Sequence, residues 1–138
     1  MVRTYTRRVE SRGEGHVIDL TPDLLECVRD SGLRAGTASL FVPGSTAGLT
    51  TIEYEPGVVA DLGDCFYRLA PREIDYAHEL AWHDGNGHSH VRAALLGPSL
   101  VVPFEEARPI LGTWQQVVLV DFDNRPRRRT WSLTLIGE

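Results

Sequence analysis

The feature that most constrains the fold of this chain is where its strand and helix signals fall. "RTYTRRVES" and "HVIDL" near the start are rich in β-branched and aromatic residues, as are "SLVVPF", "ILGTWQQVVLVDF" and "RRTWSLTLIG" in the last forty residues. Between them, "GTASLFVP" reads as a buried strand, "GSTAG" as a small-residue turn and "LTTIEYEP" as a return strand. Helical spacing is confined to three segments. In "LTPDLLECVRDSG", Thr21 is placed as N-cap, Pro22 at the first helical position and Gly32 as the stop. "PGVVADLGDCFYRLAP" spaces Val58, Leu62, Cys65/Phe66 and Leu69 along one face, and "SHVRAALLGP" has Ser89 as N-cap with Gly97 and Pro98 behind it. The turn "DNRPR" is expected to join the last two strands into a hairpin. Strands at both ends with two to three helices inserted predict an α+β fold, mostly antiparallel. At 138 residues the chain is expected to form a single domain, 1–138, able to close its own core.

Several classes of function are disfavoured at once. All 14 basic residues are arginine, so Schiff-base and P-loop lysine chemistry are excluded. A net charge of −5 argues against nucleic acid as a partner. No apolar run is long enough to cross a membrane, and "MVRTYTRRVESRGEG" lacks the apolar stretch of a signal peptide, so no membrane partner and a cytoplasmic location are expected. Cys27 and Cys65 lie in helix-spaced segments without a C-x-x-C motif and read as small buried hydrophobes.

Chemistry concentrates in "AWHDGNGHSH", Ala81 to His90, with His78 just upstream, so four of five histidines share one window. In an extended chain, His88 and His90 point the same way. An H-x-H pair plus a third histidine can hold zinc or another divalent ion and leave a position open for water or substrate. The helix start beside it offers free N–H groups to an anion such as phosphate. The bland alternative is a polar surface loop held by Asp84 and Asn86, and spacing alone favours the site only slightly.

Other motifs are less specific. "PGSTAGLT" resembles a phosphate cradle, but no G-K-[ST] follows, and nothing local supports Ser45 as a nucleophile. Glu53 and Glu55 alternate along a strand and share a face, as a base, a ligand or exposed carboxylates. "RPRRR" (Arg125, Arg127 to Arg129) can bind phosphate bidentately, though a solvated tip or a subunit contact is the expected use. Trp114 is read as a strand residue used in core packing.

Three ordered segments, "STAGLTTIEYEPG", "HDGNGHSHVRAALLGPSLVVP" and "LGTWQQVVLVDFDNRPRRR", strongly resemble the YjbQ-like family, whose members often carry the label secondary thiamine-phosphate synthase. The resemblance implies a β-sandwich that assembles as a homotrimer, with a histidine-lined, metal-binding site near the subunit boundary. By matching positions, His78 and His90 correspond to the family's recurrent site histidines and Glu53 to its glutamate after the Thr-rich strand. Asp84, Asn86 and His88 belong to one version of the loop. Many members read P-H-[ST]-T-A where this chain has Pro43-Gly44-Ser45-Thr46-Ala47, so the histidine expected at position 44 is absent.

The expected function is a metal-dependent enzyme acting on phosphorylated metabolites, either a thiamine-phosphate synthase-like transferase or a metal-assisted phosphate-ester hydrolase. His78, His88 and His90 are expected to hold a divalent metal, zinc first. Glu53 and Asp84 are expected to move protons or orient a ligand, and Ser45, Thr46, Asn86 and Arg92 to bind the substrate. The rival expectation is a non-catalytic trimeric binding protein with a degenerate site, which the missing histidine favours.

Overall fold

A computed structural model describes residues 1–138. Eight strands and four helices follow in the order β1 (Val2–Ser11), β2 (His16–Asp19), α1 (Thr21–Asp30), β3 (Gly36–Phe41), β4 (Ala47–Glu53), α2 (Pro56–Leu69), α3 (His78–Trp82), α4 (Gly87–Leu96), β5 (Ser99–Glu105), β6 (Arg108–Pro109), β7 (Gln115–Asp121) and β8 (Arg127–Gly137). They form a five-stranded sheet, β1-β8-β3-β5-β6, packed on a three-stranded sheet, β2-β7-β4, and every strand pairing is antiparallel. The mixed α+β class is as expected. One helix more than expected is present, the short α3. No helix is long and apolar enough to cross a membrane.

The hairpin expected at "DNRPR" does not form. β7 pairs with β2 and β4, whereas β8 pairs with β1 and β3, so the turn carries the chain from one sheet to the other. Alternation explains the layering. On β7, Val117 and Leu119 point into a 17-residue core between the sheets, with Trp131, Leu133 and Leu135 of β8 opposite. Val118 and Val120 point the other way, into a smaller core with Phe66 of α2 and Ala93 of α4. β7 is thus buried on both faces, and α2 and α4 make a third layer outside the smaller sheet.

Two expected helix caps serve the tertiary structure instead. Thr21 is the first residue of α1 rather than its cap, and its hydroxyl accepts the Val117 N–H at 2.8 Å, tying α1 to β7. Ser89 lies inside α4, and its hydroxyl reaches the Phe122 carbonyl at 2.6 Å. Glu55 does not share a strand face with Glu53. It caps α2, accepting the N–H groups of Gly57 and Val58 ahead of Pro56. Cys27 is fully buried, as expected of a small hydrophobe, while Cys65 is only partly buried. Trp114 precedes β7 rather than lying in it and is 73% exposed, so it does not serve the core.

Candidate functional site

The segment from α3 to α4 is held by its own polar groups. Glu79 accepts the N–H of Gly85 at 2.8 Å and of Gly87 at 3.0 Å, which closes the loop and keeps the Glu79 carboxyl below its ordinary range. Gly85 takes a positive φ of 73°, and a side chain on Gly87 would run into Tyr76. Asn86 accepts the Ser89 hydroxyl and the Asn124 N–H, while its amide reaches Asp123 at 3.4 Å. With each backbone direction tied down, the loop sets its side chains in fixed places.

Three of them meet. His78 Nε2 lies 3.1 Å from Asp84 Oδ1, the His78 and His90 rings are 4.5 Å apart between centroids, and one donor atom from each residue falls within 4.8 Å of the others. Asp84 also accepts the Asn86 N–H, and that bond, assisted by His78 against partial burial, holds its carboxyl below the usual range. His90 Nδ1 is 3.1 Å from the Ser45 carbonyl. A carbonyl only accepts, so Nδ1 carries a proton, and the neutral ring in that tautomer has its lone pair on Nε2. Two imidazoles and an ionised carboxylate fit a divalent cation with coordination positions left for water or substrate.

Beside them lies a cavity of about 450 Å³ with no hydrophobic lining residue, bounded by Gly44, Ser45, Thr46, Asp84, Asn86 and His90 on one side and by Asp123, Asn124, Arg125, Arg127 and Arg129 on the other. The arginine run is divided: Arg125 and Arg128 stay exposed, as a solvated tip would be, whereas Arg127 is half-buried and Arg129 turns inward. Arg129 is buried and bidentate on Asp121, at 2.7 and 2.8 Å, and also donates to the Thr46 hydroxyl at 2.6 Å. Thr46 donates in turn to Asp123, which Arg127 approaches to 3.3 Å. Burial by itself raises the pKa of Asp121, but the Arg129 guanidinium and the Asp123 N–H outweigh it and leave the carboxyl below its ordinary range. The buried pair Asp121 and Asp123 was not anticipated from sequence. An aspartate on each side of Phe122, inside an otherwise apolar strand end, is the signal that could have found it.

Of the residues expected at the site, His78, Asp84, His90, Ser45, Thr46 and Asn86 are brought together. His88 is not. It sits on α4 rather than in an extended segment, is 2% exposed, and lines a separate cavity with Arg92. Residues two apart on a helix point about 200° apart, so His88 and His90 face opposite ways. Burial, with Arg92 and Arg72 nearby, lowers the His88 pKa. Arg92 also faces that second cavity and not the first. Glu53 is exposed at the far end of β4, opposite Gln115, about 20 Å along the strand from Ala47 at the site end. Glu53, His88 and Arg92 do not contribute to the His78–His90 cluster of this chain.

The sequence model of the UPF0047, YjbQ-like proteins matches residues 5–138. The chain belongs to the UPF0047 family. It is 34% identical to the UPF0047 protein YugU of Bacillus subtilis over 139 residues, covering 99% of this chain and 100% of that one. It is 31% identical to a UPF0047 protein of Methanocaldococcus jannaschii, covering 100% and 96%. Among solved structures, an uncharacterized conserved protein of the YjbQ/UPF0047 family from Clostridium acetobutylicum superposes with a TM-score of 0.88 at 32% identity, covering 96% of this chain and 99% of that one. A hypothetical protein from Aeropyrum pernix gives a TM-score of 0.91 at 30% identity, with 99% of each chain covered. Within this UPF0047 chain, Gly44 takes a φ of 111°, and a Cβ there would lie 3.1 Å from an Arg129 guanidinium nitrogen. The turn is therefore shaped for glycine at the position where the resemblance expects histidine.

Proposed function

We propose that this UPF0047 protein is a metal-dependent enzyme acting on a phosphorylated small molecule. The observation that carries the reading is the His78, Asp84 and His90 donor set opening onto a wholly polar cavity with three arginines on its wall. A divalent cation held by those three residues would polarise a phosphoryl oxygen and lower the pKa of a bound water. The chain's own residues do the rest. Arg125 on the cavity wall, with the terminal nitrogens of Arg127 beyond its Nε contact to Asp123, offers charge and planar donors to phosphate oxygens. Ser45 presents its carbonyl to His90 and fixes which ring nitrogen remains free. Arg129 is committed to Asp121 and Thr46, so it shapes the wall and leaves phosphate contact to its neighbours. Zinc is the first choice of ion for two imidazoles and a carboxylate.

The finer reading is a thiamine-phosphate synthase-like transfer, in which a diphosphate leaving group and a phosphorylated acceptor both need cationic partners. Metal-assisted hydrolysis of a phosphate ester uses the same groups. We further propose a homotrimer, supported by exposed apolar residues on the five-stranded sheet, Phe41, Val101 and Ile136, and in the segment after β6, Ile110 and Trp114. A second reading, a trimeric binding protein without turnover, is favoured by Gly44, because the site then has one imidazole fewer than the family pattern.

The test combines metal analysis of the purified protein with light scattering for mass and hydrolysis of p-nitrophenyl phosphate with added Zn²⁺ or Mn²⁺. The enzyme reading expects metal-dependent turnover that falls at least about a hundredfold in His78→Ala and His90→Ala. Stoichiometric metal without turnover of this ester or of the thiamine-phosphate precursors selects the binding reading. Absence of metal from the wild type, or metal content unchanged in the two variants, overturns both.

A further inference from the structure

The second cavity lies on the other side of α4, between α2 and the smaller sheet. It has a volume of about 290 Å³ and an apolar floor of Leu62, Phe66, Val120 and Phe122. Its polar end is unusual in what it lacks. Arg92 is 9% exposed, yet no carboxylate oxygen lies within 4 Å of it. Its protein contacts are one hydrogen bond from Nε to the Ala70 carbonyl at 3.0 Å and the Tyr67 ring, whose centroid is 6.0 Å away. The remaining guanidinium donors find no protein acceptor. The other buried arginine, Arg129, is bidentate on an aspartate. A buried cation without a counterion is costly, so its presence on a cavity wall asks what completes it.

Two further observations point into the same space. His88, at 2% exposure, has one ring hydrogen bond, between Nε2 and the Ser89 hydroxyl at 3.4 Å, and lies beside the Tyr76 ring, which leaves Nδ1 without a hydrogen-bond partner in the protein. Gly63 lies in the interior of α2 on the cavity wall, where a Cβ would meet nothing within 4 Å. A glycine inside a helix weakens it relative to alanine, and here no neighbour requires one. It leaves an exposed stretch of the cavity rim without a side chain.

We propose that this cavity is a second binding site, separate from the histidine cluster, for a small organic monocarboxylate. The carboxylate pairs with Arg92 and accepts from the neighbouring polar wall, while an apolar body lies on Leu62, Phe66, Val120 and Phe122. Charge decides between a carboxylate and a phosphate ester. Arg72 at the mouth is already bound to Glu14, at 2.8 and 3.0 Å, and Asp64 is also on the wall. Arg92 is thus the one wall cation with no carboxylate within 4 Å, and the acidic Glu14 and Asp64 on the same wall disfavour a dianion more than a monoanion. The small volume limits the body to one ring or a short branched chain.

The experiment titrates phenylacetate, phenyl phosphate and inorganic phosphate into the full-length protein, followed by amide chemical shifts and calorimetry. Saturable phenylacetate binding with shifts at Leu62, Val120 and Phe122 is expected, with phenyl phosphate at least about tenfold weaker. Gly63→Leu adds an apolar side chain on the cavity wall where a Cβ meets no neighbour, and is expected to weaken binding while keeping the fold. Arg92→Met is expected to weaken binding at least about tenfold, and His78→Ala to leave it unchanged. The proposal is overturned by no saturation up to about 10 mM, by unchanged affinity in folded Arg92→Met, or by phosphate binding as tightly as the carboxylate. Loss of phenylacetate binding in folded His78→Ala overturns it too, because the ligand would then occupy the histidine site.

Discussion

Replacing Arg129 with methionine tests whether the wall of the polar cavity rests on a buried ion pair. Arg129 is 6% exposed and Asp121 is fully buried, joined by two hydrogen bonds of 2.7 and 2.8 Å. Asp123, at 1% exposure, stands close by with Arg129 at 3.9 Å and Arg127 at 3.3 Å. Without Arg129, Asp121 keeps the Asp123 N–H but loses its only paired cation, and Thr46 loses a donor. Removing one partner of such a pair leaves an uncompensated buried charge and costs about 3–5 kcal/mol. With a urea slope of about 2 kcal/mol per molar, the unfolding midpoint should fall by about 2 M. Acid supplies the second reading. The Asp121 pKa in the folded protein lies below its ordinary value of 3.8, so its stabilisation is present above that value and is lost as pH falls through the folded pKa. In Arg129→Met the desolvation that opposes ionisation is no longer outweighed, so Asp121 takes up its proton earlier and the penalty shrinks on acidification. A cost below about 1 kcal/mol, or one that stays constant between about pH 7 and pH 4, would refute the buried-pair reasoning.

The other predictions follow from glycines. Gly63→Ala in α2 meets no neighbour and should stabilise the protein by about 0.5–1 kcal/mol in chemical denaturation, whatever the cavity binds. Gly36→Ala should cost about 3 kcal/mol or prevent folding, because its Cβ would lie 2.1 Å from the Ile136 carbonyl oxygen across the β3–β8 pairing. Soluble yield and melting temperature check it. Gly44→His, which restores the residue that the family resemblance leads one to expect, should cost about 1–2 kcal/mol through its positive φ. Calorimetric Zn²⁺ titration should show affinity rising less than the about tenfold or more expected of an added unstrained ligand; a larger rise would show that the turn readily accommodates a side chain.

Local pattern made the strands and the three longer helices legible, because burial on one face writes the same period into sequence and structure. Pairing was not legible at the last two strands. β7 and β8 each alternate correctly, yet nothing local states that β7 must be buried on both faces and so belongs in the middle layer. Thr21 and Ser89 have the chemistry of caps, but tertiary acceptors on β7 and at Phe122 use their hydroxyls. The candidate site shows the same division. His78, Asp84 and His90 were found as members of one loop, while His88 was misplaced by assuming an extended chain where α4 had already begun. A period of two and a period of 3.6 give opposite answers for residues two apart. Asp121 and Asp123 were missed because two carboxylates in an apolar strand end acquire meaning only when Arg129 and Thr46 arrive from elsewhere in the chain.

Helix α4 explains why the two cavities coexist in so small a molecule. Its first turns present His90 to Ser45 and His78 on one side and His88 and Arg92 to the α2 wall on the other. Ser89 stands between, fully buried, with its hydroxyl on the Phe122 carbonyl and on Asn86, which also holds Asn124. A shift of the helix start therefore moves both sets of side chains together. The two sites differ in how their charge is balanced. In the polar cavity the buried Asp121 and Asp123 are matched by Arg129 and Arg127 from within the chain, which fixes the wall before any ligand arrives. In the second cavity Arg92 has no carboxylate within 4 Å, and the proposed carboxylate would be its direct partner. The same helix thus carries a face completed by its own fold and a face whose arginine the proposed ligand would complete.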